Sequence, residues 1–217
     1  MRRILIATLG VALLTGTVLA VRGAAAGPPA PPAQAAEATA AAGHQHVAPA
    51  TSGGGGKGLA TQLAKARLVT ARYATSLHAA KADGYQIITP MIPDMGYHYL
   101  NPTIQGFDPA KPHILVYERR GGAWTLGALE WVFPATPTTP PLPGATFGSF
   151  AAACHYKDGT FVFVASQDQC AKRSPEPGAA FNFWHPDLVT LHVWLWYPNP
   201  DGLYSGTNPY IKPFNRG

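Results

Sequence analysis

Residues 188–197, reading LVTLHVWLWY, restrict the fold of this chain more than any other feature. All but His192 are β-branched, aromatic or leucine, only Thr190 and His192 interrupt the apolar run, and prolines bound it on both sides. This pattern is typical of a buried β-strand. Side chains alternate along a strand, so one face carries Thr190, His192, Trp194 and Trp196, and the other is apolar or aromatic. We therefore expect a sheet covered on both faces, with His192 either hydrogen-bonded in the core or part of a site.

The rest of the chain predicts one helix followed by short strands. Leu59, Leu63, Ala66, Tyr73, Leu77 and Ala80 build one apolar stripe along a helix from Gly58 to Ala82. The predicted strands cover residues 85–89, 95–102 (ended by Asn-Pro), 113–119, 123–133, 149–157 and 160–166. Strands and helices do not alternate, so the class is α+β: one N-terminal amphipathic helix packed on a curved, mainly antiparallel sheet or partial barrel.

Two glycine turns predict hairpins with definite registers. If Arg120 pairs with Ala123 across the Gly121-Gly122 turn, His113 faces Glu130. An imidazole would then stand beside a carboxyl group in an otherwise uncharged strand. Glu130 must therefore have a partner or be protonated, and a buried Glu130–His113 pair is the structural interpretation.

The second turn, Asp158-Gly159, places Cys154 opposite Phe163 and His155 opposite Val162. Cys154 and Cys170 are the only cysteines and predict one disulfide in an exported chain, which would stabilise it by about 3 kcal/mol. The alternative is a thiol nucleophile or metal thiolate, but no CxxC pattern accompanies either residue.

The N-terminus has the composition of an export signal. Basic, apolar and small residues follow one another in residues 1–26, as in a secretory signal peptide, and cleavage is expected after Ala26 or Ala20. An uncleaved membrane anchor is the alternative. Residues 27–57 are rich in Ala, Pro and Gly and predict a disordered linker, which leaves one domain at 58–217. The expected location is secreted or cell-envelope, with no membrane span after cleavage.

The net charge does not indicate a nucleic-acid partner. The formal charge is +5, and loss of three arginines with the signal leaves 13 basic against 11 acidic residues, or +2. After the signal, basic residues adjoin only at Arg119-Arg120 and at Lys172-Arg173, so no basic stripe could follow a phosphate backbone. The sequence carries no indication of oligomeric state.

Polar residues set in apolar strands are the candidates for chemistry. The sequence lacks a GxSxG elbow, an HExxH helix and a dinucleotide fingerprint. His98, Glu130 and His192 are the candidate catalytic residues, as general acids and bases. Together with His185 they are also candidate ligands of a divalent transition metal (Zn, Cu or Fe), since those ions take imidazole and carboxylate. The candidate ligand-binding residues are Tyr97, Tyr99, His113, Trp194 and Trp196.

Three segments resemble a family of exported bacterial proteins that is uncharacterised. They are the ARY…DGY region at 71–85, MGYHYLNP at 95–102, and LHVWLW…NPDG at 191–202. Similar members also carry a glutamate in a strand like LGALEW at 126–131. The resemblance groups His98, Glu130 and His192 as a set and implies no activity, substrate or cofactor.

The sequence therefore predicts an exported domain that binds a metal ion or small molecule in a His/Glu/aromatic pocket. The alternatives are a metal-assisted lyase or hydrolase and a non-catalytic structural envelope protein.

Overall fold

The structure is a computed structural model that describes residues 45–46 and 56–214. The predicted signal peptide and most of the predicted linker lie outside these residues. The described part belongs to the α+β class and is built mainly of antiparallel strands, as predicted. Its helices are α1 (Gly56–Thr70) and α2 (Leu77–Ala82), and its strands are β1 (Gln45–His46), β2 (Gln86–Ile87), β3 (Tyr97–Leu100), β4 (Ile114–Arg120), β5 (Ala123–Phe133), β6 (Gly148–Phe150), β7 (Ala153–Tyr156), β8 (Phe161–Phe163), β9 (Phe181–His185) and β10 (Leu188–Val193). In this part of the chain, no helix is both long and apolar enough to cross a bilayer.

The strands form two sheets. Seven strands are ordered β1-β6-β10-β5-β4-β3-β2, and three are ordered β8-β7-β9. The predicted strand at 149–157 is in fact two strands, because β6 pairs with β10 in the large sheet and β7 pairs with β8 and β9 in the small one. Strand β9 and the pairing of β1 with β6 were not predicted.

The predicted single helix is interrupted. Helix α1 ends at Thr70, a 3-10 turn follows, and α2 begins after Ser76, whose side chain accepts a hydrogen bond from the backbone of Ala79. The carbonyl of Tyr73 accepts from a tyrosine of β4, and the carbonyl of Ala74 accepts from the backbone of β5. The α-helical hydrogen-bond ladder is therefore interrupted at the carbonyls that bond to the sheet. The apolar stripe nevertheless packs in the main core as predicted.

The large sheet has an apolar face and a mixed face. The apolar face packs on the helices through a core that includes Leu115, Tyr117, Leu129, Trp131, Leu191 and Val193. The residues that alternate with these core residues along the strands, such as Ile114, Val116 and Ala128, form a second cluster on the other face. That mixed face carries the three candidate catalytic residues, since His98, Glu130 and His192 alternate with the core residues of their strands.

A bulge in the β4–β5 hairpin changes the predicted register. Tyr117 faces Leu126 as predicted, but the pairing shifts between Val116 and Tyr117, and Gly127 is the extra residue. Beyond the bulge Glu130 lies opposite Ile114 and not opposite His113, so the predicted His113–Glu130 pair is wrong.

The second hairpin also differs by one residue. Cys154 faces Val162 and His155 faces Phe161, one position from the predicted partners. The predicted disulfide between Cys154 and Cys170 is present.

Strand β10 is shorter than predicted. It ends at Val193, and the backbone of Trp194 then bonds to Leu203 outside the sheet. Trp194 packs in the cluster on the mixed face, whereas Trp196 packs against the helices and donates its indole N–H to Thr70. The two tryptophans therefore do not share a face, because the chain loses strand periodicity between them.

Candidate functional site

A cavity of about 510 Å³ lies between the mixed face of the large sheet and the small sheet. Its walls are mainly apolar and include Ile114 and Leu188 from the large sheet and Phe183 from the small one. Glu130 and four histidines also line it: His98, His113, His155 and His185. The volume lies within the range of about 300–1,000 Å³ that is usual for small-molecule sites.

His98, Glu130 and His192 lie side by side on adjoining strands. Glu130 of β5 is paired in register with His192 of β10, and Nε2 of His98 lies 3.7 Å from Oε2 of Glu130. The rings of His98 and His192 are 6.4 Å apart between centroids. All three side chains are 1% exposed or less. The structure thus brings together the three residues that the sequence grouped, with His98 and Glu130 lining the cavity and His192 next to them.

Burial makes His98 and Glu130 uncharged near neutral pH. Desolvation lowers the pKa of His98 to about 3 and raises the pKa of Glu130 to about 8. The Thr190 hydroxyl has a smaller effect, which lowers the pKa of Glu130. The 3.7 Å contact is therefore not a salt bridge at pH 7. A protonated Glu130 is instead a hydrogen-bond donor and a candidate general acid facing an apolar space.

The Thr89 hydroxyl anchors His98 in the wall of the cavity. It accepts a hydrogen bond from the backbone N–H of His98 at 3.1 Å and lies 3.0 Å from Nδ1 of the same residue. These two contacts fix the position of the ring relative to Glu130.

His113, the residue immediately before β4, lines the cavity. Its Nδ1 accepts a hydrogen bond from the backbone N–H of Val132 at 3.0 Å, so the proton of the neutral ring is on Nε2. Burial lowers its pKa. His113 therefore helps to hold the strand that carries Glu130 without touching that carboxyl group.

His155 and His185 form a second histidine cluster, on the small sheet. Their Nε2 atoms are 3.0 Å apart, and each Nδ1 faces a backbone carbonyl, that of Ile88 at 2.7 Å and that of Pro186 at 2.6 Å. The His155 ring stacks on Phe183 with centroids 4.7 Å apart. Desolvation lowers the pKa of both histidines, to about 3 for His155, and the charge of Asp187 has a smaller raising effect on His185.

The sequence marks His155 as a polar residue in an apolar strand, but no catalytic, ligand-binding or metal-binding role was predicted for it. His155 stands in a short buried strand, and its neighbours in the cavity come from β9, which was not recognised. The aromatic run FNFWH at 181–185 was the available signal for that strand.

Glu118 is a second buried carboxyl group that sequence reasoning missed. It is 1% exposed, and within the described residues neither of its carboxyl oxygens has a hydrogen-bond partner. Desolvation, with a smaller effect of the Asp94 charge, raises its pKa to about 9. Its position beside two arginines near the end of β4 gave it the appearance of a solvent-exposed residue.

The aromatic candidates lie outside the cavity. Tyr97, Tyr99 and Trp196 pack in the core on the helix face of the sheet. Trp194 is on the mixed face, where its ring lies 4.9 Å from that of His192, but it does not line the cavity. Of the predicted ligand-binding residues, only His113 does so.

The four candidate metal ligands are divided between two places. His98, Glu130 and His192 lie together, whereas His185 is bonded to His155. Among the described residues there is no group of three or more His, Cys, Asp or Glu side chains arranged to hold a metal ion.

Comparisons with models of protein families, with curated proteins and with solved structures find no match to this chain.

Proposed function

We propose that this chain is an exported domain that binds a small, largely apolar molecule in the cavity between its two sheets. The observation that carries the proposal is the cavity itself, about 510 Å³ with mainly apolar walls and the neutral Glu130–His98 pair on one side. The proposal requires the large sheet to curve around this space, as the sequence predicts.

The chemistry of the cavity favours a ligand with an apolar body and one hydrogen-bonding head group. Within the described residues, neither carboxyl oxygen of Glu130 makes a hydrogen bond of ordinary geometry. A buried polar group of this kind costs about 1–3 kcal/mol when it is left unsatisfied. A ligand head group that pairs with Glu130 would recover that free energy while its body covers Ile114 and Phe183.

Export is supported by the order of residues 1–26 and by the disulfide, which is the bond expected of a chain folded in an oxidising compartment.

The test uses N-phenyl-1-naphthylamine, a neutral apolar probe whose fluorescence rises in apolar surroundings. We expect the folded protein to bind one equivalent. Leu188→Trp places a larger side chain in the cavity wall and should abolish binding, whereas Leu68→Trp, at a position 77% exposed on α1, should leave it unchanged. Failure of the folded wild-type protein to bind the probe, or equal binding by the two variants, would contradict the proposal.

Metal binding, with or without lyase or hydrolase activity, is the rival function for the same residues. Metal analysis of protein purified without a histidine tag separates the two. A filled site holds about one equivalent of Zn, Cu or Fe, and less than about a tenth of an equivalent removes the metal hypothesis. A purely structural envelope protein would bind neither metal nor probe.

A further inference from the structure

The His155–His185 pair makes three hydrogen-bond contacts, but its two rings carry only two N–H groups when both are neutral. Both Nδ1 atoms face carbonyl oxygens, which only accept, so each Nδ1 must donate. The contact between the two Nε2 atoms needs one further proton. Three hydrogen bonds therefore need three N–H groups, whereas two neutral imidazoles supply two. In the neutral pair one of the three contacts brings two acceptors together.

A third proton would complete the three hydrogen bonds and give the pair a charge of +1. Some of its surroundings suit that charge, since two carbonyl dipoles point at the pair, Phe183 stacks on His155, and Asp187 acts on His185. The other rings packed against the pair, Phe150 and Phe161, carry no charge. Burial opposes the charge, because a buried cation without a counter-ion is costly.

The cavity beside the pair contains no fixed charge of its own. Among the described residues that line it there is no lysine, arginine or aspartate, and Glu130 is the only carboxylic acid. An anion that entered this space would not be repelled by a negative charge at neutral pH. Its own charge would balance the positive charge of the protonated pair. A cation would instead oppose protonation of the pair.

We propose that the cavity binds an apolar molecule with a carboxylate head group, and that binding is accompanied by uptake of one proton from solvent by the His155–His185 pair. This inference rests on the proposed function and specifies its ligand class. Glu130, protonated on the large sheet, donates a hydrogen bond to the ligand carboxylate. The proton taken up completes the bond between the two Nε2 atoms, and the anion and the proton together add no net charge to the buried space.

The experiment compares three probes with one apolar body: 4-phenylbutanoate, 4-phenylbutan-1-ol and 4-phenylbutylamine. Isothermal titration calorimetry at pH 7, in two buffers of different ionisation enthalpy, gives both the affinity and the number of protons exchanged. We expect the carboxylate to bind about tenfold or more tightly than the alcohol, with uptake of close to one proton, and the amine to bind most weakly.

Two variants assign the proton to the pair. His185→Gln keeps a side chain that can donate to His155 but cannot hold a further proton, and His155→Phe matches its aromatic neighbours. Each should remove the proton uptake and reduce the ratio of carboxylate affinity to alcohol affinity, measured in the same variant, to about one. His78→Gln, on the exposed side of α2, is the control and should behave as the wild type. His185→Gln is the variant to rely on if His155→Phe does not fold.

The outcomes separate the two proposals. Equal affinity for the carboxylate and the alcohol, or tight carboxylate binding without proton uptake, overturns this inference and leaves the proposed function standing. Proton uptake that persists in both variants also overturns it, because the proton then goes elsewhere. Failure of all three probes and of N-phenyl-1-naphthylamine to bind would overturn both.

Discussion

The buried carboxyl groups predict that the protein loses stability as the pH rises above neutrality. Glu118 and Glu130 have pKa values raised from 4.5 to about 9 and about 8. The folded state therefore holds two protons that the unfolded chain releases above pH 4.5. A group of this kind stabilises the fold fully below its unfolded pKa, and that contribution is lost as the pH rises towards its folded pKa.

The buried histidines act in the opposite direction and over a lower range. The pKa values of His98 and His155 are lowered from 6.5 to about 3. Their contribution becomes complete about one pH unit above 6.5 and is lost as the pH falls towards 3. Between about pH 7 and 8 the two carboxyl groups therefore dominate. Each protonated carboxyl group contributes at most about 1.4 kcal/mol per pH unit, and the partial ionisation of Glu130 and the remaining histidine effect reduce the sum, so the free energy of unfolding should fall by about 2 kcal/mol per unit.

Urea unfolding followed by tryptophan fluorescence, at several pH values between about 7 and 8, measures this slope. Glu118→Gln and Glu130→Gln each replace an ionisable group by a neutral one of the same shape, and each should remove about half of the slope. The free energy lost over one pH unit is a large fraction of the usual 5–15 kcal/mol of total stability, so the slope is readily measured. Stability that is constant or rises over this range would refute the assignment of two protonated buried carboxyl groups, as would a slope that neither variant changes.

Three further changes test the fold that positions the site. Gly96→Ala should destabilise the protein by about 2 kcal/mol more than Gly106→Ala. Both glycines have positive φ, but only at Gly96 would the new Cβ meet the backbone of β4, at 2.6 Å. Reduction of the Cys154–Cys170 disulfide, with the Ser/Ser double variant as its control, should lower the unfolding free energy by about 3 kcal/mol, and an unchanged urea midpoint would contradict its structural role. Gly127→Ala should be tolerated, because its Cβ would make only ordinary contacts, whereas deletion of Gly127 should abolish both stable folding and probe binding.

The sequence was sufficient for those parts of the fold that depend on local pattern. Alternation placed Leu191 and Val193 on one face of β10 and Thr190 and His192 on the other, and the structure confirms this assignment. The two glycine turns lie where they were expected, with φ of +54° and +86° at Gly121 and Gly122. The disulfide followed from the cysteine count.

The parts that could not be predicted depend on contacts between distant segments. Nothing local to residues 149–157 indicates that the strand divides between two sheets, because only Ala151 and Ala152 separate β6 from β7 and neither glycine nor proline marks the break. The helix break at Tyr73 and Ala74 depends on hydrogen bonds to β4 and β5. The His155–His185 pair likewise forms only because β7 and β9 are neighbours.

The bulge at Gly127 determines which face of the sheet carries Glu130. In an unbroken hairpin Glu130 would point to the same side as Tyr117 and Leu115, into the apolar core against the helices. There the carboxyl group would lie opposite His113, as the unbroken register predicts, and would face neither His98 nor the cavity. The extra residue reverses the alternation of β5 beyond it, so that Leu129 and Trp131 enter the core and Glu130 faces the cavity beside His98. One extra glycine therefore keeps Leu129 and Trp131 in the apolar core and places Glu130 at the cavity. A register written from the turn alone predicts the correct hairpin, but it gives Glu130 the wrong cross-strand partner.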